Sequence, residues 1–271
     1  MVAQQLKHSF IDYNPDQKFE VLSFEFEMLT SDQIARAFSA KLDKSTQELY
    51  SGTDTELTDD DIDALAYETK KFSNLPIYYV DEGGSVEHVI DTIWAFAMHR
   101  KLIEQGIGLV VSIDHALLVQ GKGFNSEQER QILNDLCRSL INLKTKFAQQ
   151  KGKIIIILLS QLNRDIESPE RITNANLHYP TKSDIFGSDA IYQASDYVVV
   201  IHRPAAMEGI GDYYGPKQAG FPKGLPIVSP YDSHRQMVYW HLIKNRFGMT
   251  KILPMVEDYA HSKINEVNIK P

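Results

Sequence analysis

The sequence predicts an α/β protein: a mostly parallel sheet flanked by helices, with an antiparallel hairpin near the carboxyl end. Three observations lead to this prediction. Short apolar runs alternate with helix-length amphipathic segments over most of the chain. One run, Lys153 to Leu159, is apolar almost throughout, which is typical of a parallel strand covered on both faces. Consecutive strand-like runs then close the chain, and such runs form the antiparallel edge of mixed sheets.

Size, charge and cysteine content narrow the class of protein. The chain has 271 residues, 43% of them hydrophobic, which fits one or two ordinary soluble domains. Its net charge of −8 disfavours coating of nucleic acid by bulk attraction, yet permits a local groove for it. The single cysteine, Cys137, excludes an internal disulfide and indicates a reducing compartment. No apolar run approaches the roughly 20 residues of a membrane helix, so no membrane partner is expected.

Helices are predicted where capping signals precede amphipathic segments. Thr30 and Gln33 have the spacing of a capping box, as do Thr58 and Asp61, and Ser85 can cap a long helix. The segment 1–10 has helical spacing but no capping residue ahead of it, as though a helix were entered from its middle. The predicted helices cover residues 1–10, 30–42, 62–72, 86–105, 127–150 and, as a short turn, 189–193.

Strands are predicted from apolar runs bounded by turn residues. They cover residues 19–24, 76–80, 109–113, 153–159, 197–201, 238–243 and 252–256. Residues 163–183 are polar and are expected to be mobile, whereas residues 204–230 are rich in Gly and Pro and form an irregular insertion. We expect one domain over residues 1–271.

Polar side chains follow the predicted strands, at the edge where α/β proteins bind ligands. Asp114 can hold Mg²⁺ through its water shell, although most strand-end aspartates cap a turn. Glu27 can take a proton from water or be a solvated rim residue. Gln161 can contact a terminal phosphate, although alone it is better interpreted as a turn residue. The strand-end set is Glu25, Glu27, Asp114, Ser160, Gln161, Asn163, Arg164, His202 and Arg203.

Two cations lie in the predicted hairpin turn. Lys244 and Arg246 alternate, so both can point the same way and supply positive charge to a phosphate of a neighbouring subunit. In isolation, a solvated basic turn is the simpler interpretation. The histidines do not cluster at metal-ligand spacing, and His115 and His202 are interpreted as structural.

Taken in order, five segments resemble the RecA-like motor domain of DnaB-type replicative helicases. The resemblance implies that Glu27 activates water, that Asp114 lies on the magnesium side and that Gln161 senses the γ-phosphate. It further implies that Lys244 and Arg246 reach the nucleotide of the adjacent subunit, and Arg203 is assigned with Asp114 to nucleotide binding. The matching segments are residues 23–28, 76–114, 159–164, 183–199 and 244–250.

The resemblance also implies cofactors and partners. ATP and Mg²⁺ are the expected cofactors, and single-stranded DNA is the expected partner. The chain would form a homo-oligomeric ring, expected to be a hexamer, with primase or a helicase loader as further partners. The expected location is the cytoplasm of a bacterial or phage-infected cell.

The sequence departs from the family pattern at two places. No Gly-x-x-x-x-Gly-Lys-Ser/Thr motif is present, although the family places it directly before the helix that begins this chain. Either the domain is incomplete at its amino end or the chain is a degenerate subunit, and both interpretations stay open.

The second departure concerns single-stranded DNA. The family's Asp-Leu-Arg-Glu-Ser-Gly segment corresponds to residues 184–189, with Phe186 in place of the arginine. Phe186 can stack on a base, worth about 1–3 kcal/mol, or pack internally, which we favour. The candidate DNA contacts are Lys182, Ser183, Phe186 and Ser188.

Three functions are therefore compared. The leading one is the motor domain of a hexameric DNA helicase, and the second is a non-catalytic helicase-derived subunit that serves as a structural or regulatory partner. The third is a relative of the recombinase or circadian-clock ATPases, against which the hairpin at residues 244–250 argues.

Overall fold

The protein is described by a computed structural model covering residues 13–50, 57–116, 119 and 126–269. The chain divides into two compact units. The first comprises residues 1–160 with 260–263, and the second comprises residues 161–259 with 264–271. The predicted helix over residues 1–10 lies outside the described residues.

A four-stranded parallel sheet forms the centre of the first unit, with the strand order β2-β1-β3-β4. Five helices accompany it within the described ranges. The strands are β1 (Phe19–Glu25), β2 (Ile77–Val80), β3 (Gly108–Asp114) and β4 (Ile154–Leu158). The helices are α1 (Thr30–Leu42), α2 (Thr46–Tyr50), α3 (Asp59–Ser73), α4 (Val86–His99) and α5 (Ser126–Gln149).

The core of this unit lies on β1 and β3. Every residue of β3 up to Ile113 is buried, as is β1 from Glu20 onward. Helix α4 buries Val89, Ile93 and Ala97. Removal of such apolar surface from water is the main stabilising contribution of the sheet.

Strand β4 differs from its prediction. It lies at the edge of the described sheet, where it pairs with β3 alone, and Ile155 is 40% exposed. The prediction of a strand covered on both faces is therefore wrong for β4. An unbroken apolar run indicates that a strand can be buried, but it does not indicate which neighbouring elements cover each of its faces.

Helix capping followed the local signals in two of three cases. Thr58 and Asp61 form the predicted capping box, although α3 starts at Asp59 instead of residue 62, and Ser85 caps α4. The predicted capping box of α1 is wrong: Leu29 is the N-cap residue, and no side chain caps it. Because Thr30 is already the first helical residue, Gln33 lies one position past the capping-box position, and its Nε2 donates to the buried carboxyl group of Glu25 on β1.

The second unit is built on an antiparallel sheet. The strand order is β10-β9-β8-β5, and the predicted hairpin is formed by β8 and β9. The strands are β5 (Tyr197–His202), β8 (Met237–Asn245), β9 (Lys251–Asp258) and β10 (Lys263–Glu266), and the helices are α6 (Pro169–Thr173) and α7 (Ser188–Ala194).

The insertion at residues 204–230 is mostly irregular but contributes to the core of the second unit. It contains two short paired strands, β6 (Tyr213–Tyr214) and β7 (Leu225–Pro226). Tyr214 is fully buried in a cluster with Met237 and Tyr239 of β8. Residues 163–183 contain α6 and short 3-10 turns.

Candidate functional site

Glu27 and Asp114 are brought to the same edge of the parallel sheet. The register pairs Glu25 with Asp114, and the backbone N–H of Phe26 donates to the Asp114 carbonyl at 2.9 Å. Glu27 follows directly, and its side chain is 58% exposed. Two carboxyl groups predicted from separate segments therefore lie at adjacent strand ends, with that of Glu27 open to solvent.

His115 is a neighbour of Glu27 that the sequence interpretation missed. It follows Asp114, is 8% exposed, and its Nε2 lies 3.8 Å from Glu27 Oε2. The sequence placed it among structural histidines. The available signal was its position directly after a strand-end aspartate, which fixes it at the ligand-binding edge.

A buried polar cluster lies beside the Glu27 segment. Glu25, 2% exposed, accepts hydrogen bonds from Ser23 Oγ and from Gln33 Nε2, the latter at 2.9 Å. Gln33 Nε2 also lies 3.8 Å from the sulfur of Met28. The other amide atom, Gln33 Oε1, is buried without a donor among the described residues.

Gln161 belongs to the second unit, and its side chain is exposed. Its carbonyl accepts a hydrogen bond from the N–H of Phe186 at 3.1 Å. Leu162 forms an antiparallel bridge with Ile185, and Asn163 Nδ2 donates to the carbonyl of Ser183 at 2.6 Å. Gln161 is thus joined to the candidate DNA segment. Its convergence with Glu27 and Asp114 stays a prediction.

The candidate DNA segment is shaped by a buried ion pair. Asp184, 2% exposed, accepts hydrogen bonds from Thr181 and pairs with Arg171. Arg171 also donates to the carbonyls of Leu177 and Tyr179, each at 2.9 Å. A single guanidinium group therefore holds three parts of this segment together.

The four candidate DNA contacts occupy different environments. Lys182 and Ser183 are exposed on a 3-10 turn, and Phe186 is half-buried. Ser188 begins α7, and its side chain lies outside the described residues. Lys182 and Ser183 are thus open to a partner, whereas Phe186 is only partly so.

Lys244 lies within β8 and not in the predicted turn, whereas Arg246 follows that strand, and both cations contact their own chain. Lys244 Nζ donates to the carbonyls of Tyr192 and Gln193 near the carboxyl end of α7. Arg246 Nη1 lies 2.7 Å from Asp196 Oδ1. Partial burial lowers the pKa of Lys244, and the nearby Arg246 lowers it further. Both cations therefore have partners in the isolated chain.

Arg203 is exposed just after β5, and its guanidinium carbon lies 5.2 Å from the centre of the Tyr259 ring. Burial raises the pKa of Glu257 beside it, an effect that the nearby Arg203 charge opposes. The assignment of Arg203 to nucleotide binding stays a prediction.

The donor set at Asp114 fits a water-rich Mg²⁺ site. Within the described ranges, no group of three or more His, Cys, Asp or Glu side chains can hold a metal ion. Nucleotide sites, however, bind Mg²⁺ through one or two carboxylates, with phosphate oxygens and water as the other ligands. Asp114, at the end of β3, can provide one such carboxylate. Separately, no helix in the described part of the chain is long and apolar enough to cross a membrane.

Comparison with known protein families identifies the domain. The model of the DnaB-like helicase C-terminal domain matches residues 2–264. The chain belongs to this family. Three curated relatives of this DnaB-like domain are the replicative DNA helicases DnaB of Geobacillus stearothermophilus and Mycobacterium leprae and a probable replicative DNA helicase of Trieres chinensis.

The similarity to these relatives is moderate and covers part of each of them. The Geobacillus protein is 30% identical over 194 residues, which are 72% of this chain and 37% of the relative. The Mycobacterium leprae protein is 28% identical over 68% of this chain and 27% of its own length. The Trieres protein is 30% identical over 69% of this chain and 37% of its own length. The DnaB-like domain described here thus spans well under half the length of these relatives.

Solved structures confirm the predicted RecA-like fold class. One solved ATPase domain superimposes with a TM-score of 0.71 at 18% identity, over 98% of this chain and 79% of that chain. A DnaB-like replicative helicase, solved in a study of its interactions with primase, superimposes with a TM-score of 0.68 at 17% identity. That superposition covers 92% of this chain and 52% of the helicase chain. These likenesses establish the fold of the DnaB-like domain.

Proposed function

We propose that this chain is the motor domain of a hexameric, ATP-dependent DNA helicase that acts in replication. It hydrolyses ATP between subunits and moves along single-stranded DNA. The observation that carries this proposal is the register of β1 with β3, which brings Glu27 and Asp114 to one sheet edge in a member of the DnaB-like family. ATP and Mg²⁺ are the cofactors.

The first unit supplies the acid–base chemistry. Mg²⁺, when bound with ATP, supplies positive charge to the phosphate oxygens. Asp114 holds the metal through its water shell. Glu27 accepts a proton from the attacking water, and its 58% exposure supports this role because water reaches the carboxylate freely.

The second unit supplies the sensor and the charges that act on the neighbouring subunit. Gln161 contacts the γ-phosphate, and Arg203 contributes to nucleotide binding. Lys244 and Arg246 reach the nucleotide of the adjacent subunit, where an arginine stabilises transferring phosphate charge. To do so they exchange their contacts with the end of α7 and with Asp196 for phosphate oxygens.

Single-stranded DNA is the proposed partner of residues 182–188. Lys182 and Ser183 contact the phosphate backbone, and Ser188 and Phe186 complete the surface. The hydrogen bonds between residues 161–163 and 183–186 support mechanical coupling of this surface to the sensor Gln161. DNA binding can thereby alter ATP turnover.

The assembly and its partners follow from the same proposal. Copies of the chain form a ring, for which a hexamer is expected. Primase or a helicase loader is a further partner, and a DnaB-like helicase of similar fold has been studied with primase. The proposed location is the cytoplasm of a bacterial or phage-infected cell.

Glu27→Gln tests the proposed activity. In the full-length protein, single-stranded DNA should stimulate ATP hydrolysis, and Glu27→Gln should abolish that hydrolysis because an amide cannot accept the proton. Glu104→Gln, an exposed carboxyl change in the same unit, is the matched control and should leave turnover unchanged. DNA-independent turnover, or a fully active Glu27→Gln variant, would contradict the proposal.

One competing function stays open, because no phosphate-loop motif occurs within these 271 residues. In that case the chain is a non-catalytic, helicase-derived subunit that binds an intact helicase ring. Calorimetry with a non-hydrolysable ATP analogue separates the two. Saturable binding supports the motor, whereas no binding together with capture by an intact ring supports the regulatory subunit.

A further inference from the structure

We infer that Gln33 is a positioning residue for Glu27, whose segment it ties to the end of β1 by its buried amide. The inference rests on the proposed function, because it takes Glu27 as the group that activates water. Gln33 is the fourth residue of α1 and is 2% exposed. Its amide nitrogen contacts Glu25 on one side and Met28 on the other.

The segment between β1 and α1 is held at both ends. At the first end, the N–H of Phe26 donates to the carbonyl of Asp114. At the other end, the carbonyl of Leu29 accepts from the N–H groups of Asp32 and Gln33 at 3.0 and 3.3 Å. Glu27 lies between these points, and its side chain is 58% exposed, with His115 Nε2 at 3.8 Å from its Oε2. Gln33 contacts Met28, the residue that directly follows Glu27, and so restrains the segment that carries the Glu27 side chain.

The two polar atoms of the Gln33 amide have different surroundings. Nε2 donates to Glu25, whereas Oε1 is buried with no donor in the described part of the chain. A buried acceptor left unpaired costs free energy, and native structures contain few of them. An apolar side chain of similar length would avoid this cost, but it would also leave the buried carboxyl group of Glu25 without this donor. The amide is therefore explained by the strand-end carboxyl group that it holds.

The contact joins α1 to the end of β1. Helix α1 begins at Thr30, after the N-cap residue Leu29, so Gln33 lies one position beyond the capping-box position. Its Nε2 donates to the carboxyl group of Glu25, two residues before Glu27. Small displacements of a catalytic group can lower turnover by about 100-fold. Loss of the hydrogen bond between Gln33 and Glu25 is therefore expected to lower the rate of ATP hydrolysis.

Gln33→Met in the full-length protein tests the inference, because methionine keeps the length of the side chain but cannot donate. Hydrogen exchange at the amides of residues 26–29 should rise about tenfold without nucleotide, since the local restraint is lost. ATP turnover, kcat, should fall about 10- to 100-fold while KM changes less than about twofold. The matched control is Ser39→Ala on α1, which removes a buried hydroxyl group that has no hydrogen-bond partner among the described residues and should change neither quantity.

A reciprocal variant serves as the rescue. Glu25→Gln with Gln33→Glu restores one donor and one acceptor with their roles exchanged, and should recover most of the protection and turnover. If Gln33→Met does not fold, this exchanged pair still tests whether the hydrogen bond between residues 25 and 33 positions Glu27. Unchanged exchange at residues 26–29 in Gln33→Met, an equal effect of Ser39→Ala, or no recovery in the exchanged pair would each overturn the inference.

Glu27→Gln separates this inference from the proposed function. It should abolish turnover without raising exchange at residues 26–29. If Glu27→Gln stays active, the proposed function fails, whereas the exchange measurement on Gln33→Met still reports whether the restraint exists. If Gln33→Met lowers turnover without raising exchange, the positioning role fails and the proposed function stands.

Discussion

Arg246 Nη1 lies 2.7 Å from Asp196 Oδ1, so the residue proposed to act on a neighbouring subunit is paired within its own chain. The Arg246 side chain is 50% exposed, and exposed ion pairs contribute about 0–1 kcal/mol. This contact is therefore weak enough to be exchanged for the negative charge of a triphosphate.

Mixed assemblies test whether Arg246 acts between subunits. Arg246→Ala alone should lower ATP turnover by about 10³-fold or more, because phosphate charge loses its arginine. Mixing Arg246→Ala with Glu27→Gln subunits should restore turnover at interfaces where an intact Glu27 meets an intact Arg246 from the next subunit. Either variant mixed with itself is the control. No recovery in the mixture would show that Arg246 acts within its own subunit or only in folding.

Asn163 should couple DNA binding to ATP turnover. Its Nδ2 donates to the Ser183 carbonyl at 2.6 Å, and its Oδ1 accepts from the N–H of Asp165 at 3.2 Å. Asn163→Ala should reduce the stimulation of ATP hydrolysis by single-stranded DNA at least about threefold, with basal turnover preserved; an interaction of about 1 kcal/mol is lost. Asn174→Ala removes a comparable capping bond, to Asn176, and is the matched control. Equal stimulation in both variants would contradict the coupling.

The Arg171–Asp184 pair should dominate the stability of the candidate DNA segment. Their side chains are 15% and 2% exposed, so removal of one partner leaves the other charge buried. Asp184→Ala should lower the free energy of unfolding by about 3–5 kcal/mol, measured by urea denaturation. The exposed pair Arg138–Asp135 provides the control, and Arg138→Leu should change it by less than about 0.5 kcal/mol. Similar losses in the two variants would refute this difference.

A buried His-Tyr-His arrangement should make the second unit sensitive to acid. Tyr214 Oη lies 2.6 Å from His202 Nδ1 and 2.8 Å from His241 Nε2. Burial lowers the pKa of His202 to about 4 and that of His241 to about 3. Both histidines are thus neutral in the folded chain at neutral pH, and one imidazole N–H donates to Tyr214 while the tyrosine donates to the other ring.

The sign of the pH dependence follows from these lowered pKa values. Below about pH 6.5 the two histidines bind protons in the unfolded chain but stay neutral in the folded chain. Their contribution to the free energy of unfolding is therefore complete above this pH and is lost as the pH falls toward 4. Each histidine should contribute a slope of about 1.4 kcal/mol per pH unit. Unfolding free energies measured from pH 7.5 to 4.5 should show a smaller slope in His241→Asn. The exposed His234→Gln should keep the original slope, and an unchanged slope in His241→Asn would contradict the assignment.

The sequence alone determined those features of this protein that depend on neighbouring residues. Apolar runs fixed where β1 and β3 lie, and the reciprocal bonds of Thr58 and Asp61 and the cap at Ser85 formed as predicted. Each of these depends on groups only a few residues apart, so sequence spacing already determines the geometry. The ordered segments likewise identified the family that the comparison with residues 2–264 established.

The tertiary structure decided which partners compete successfully for each polar group. Thr30 and Gln33 have capping-box spacing, but α1 already begins at Thr30, and Gln33 Nε2 donates to the buried carboxyl group of Glu25 on β1. The approach of His115 to Glu27 and the pairing of Arg246 with Asp196 join residues far apart in the chain. The spacing of residues along the sequence does not determine such contacts, because they depend on the register of the paired strands and on where the chain returns to the sheet. For the same physical reason, the apolar run of β4 did not reveal that Ile155 would lie on an exposed face.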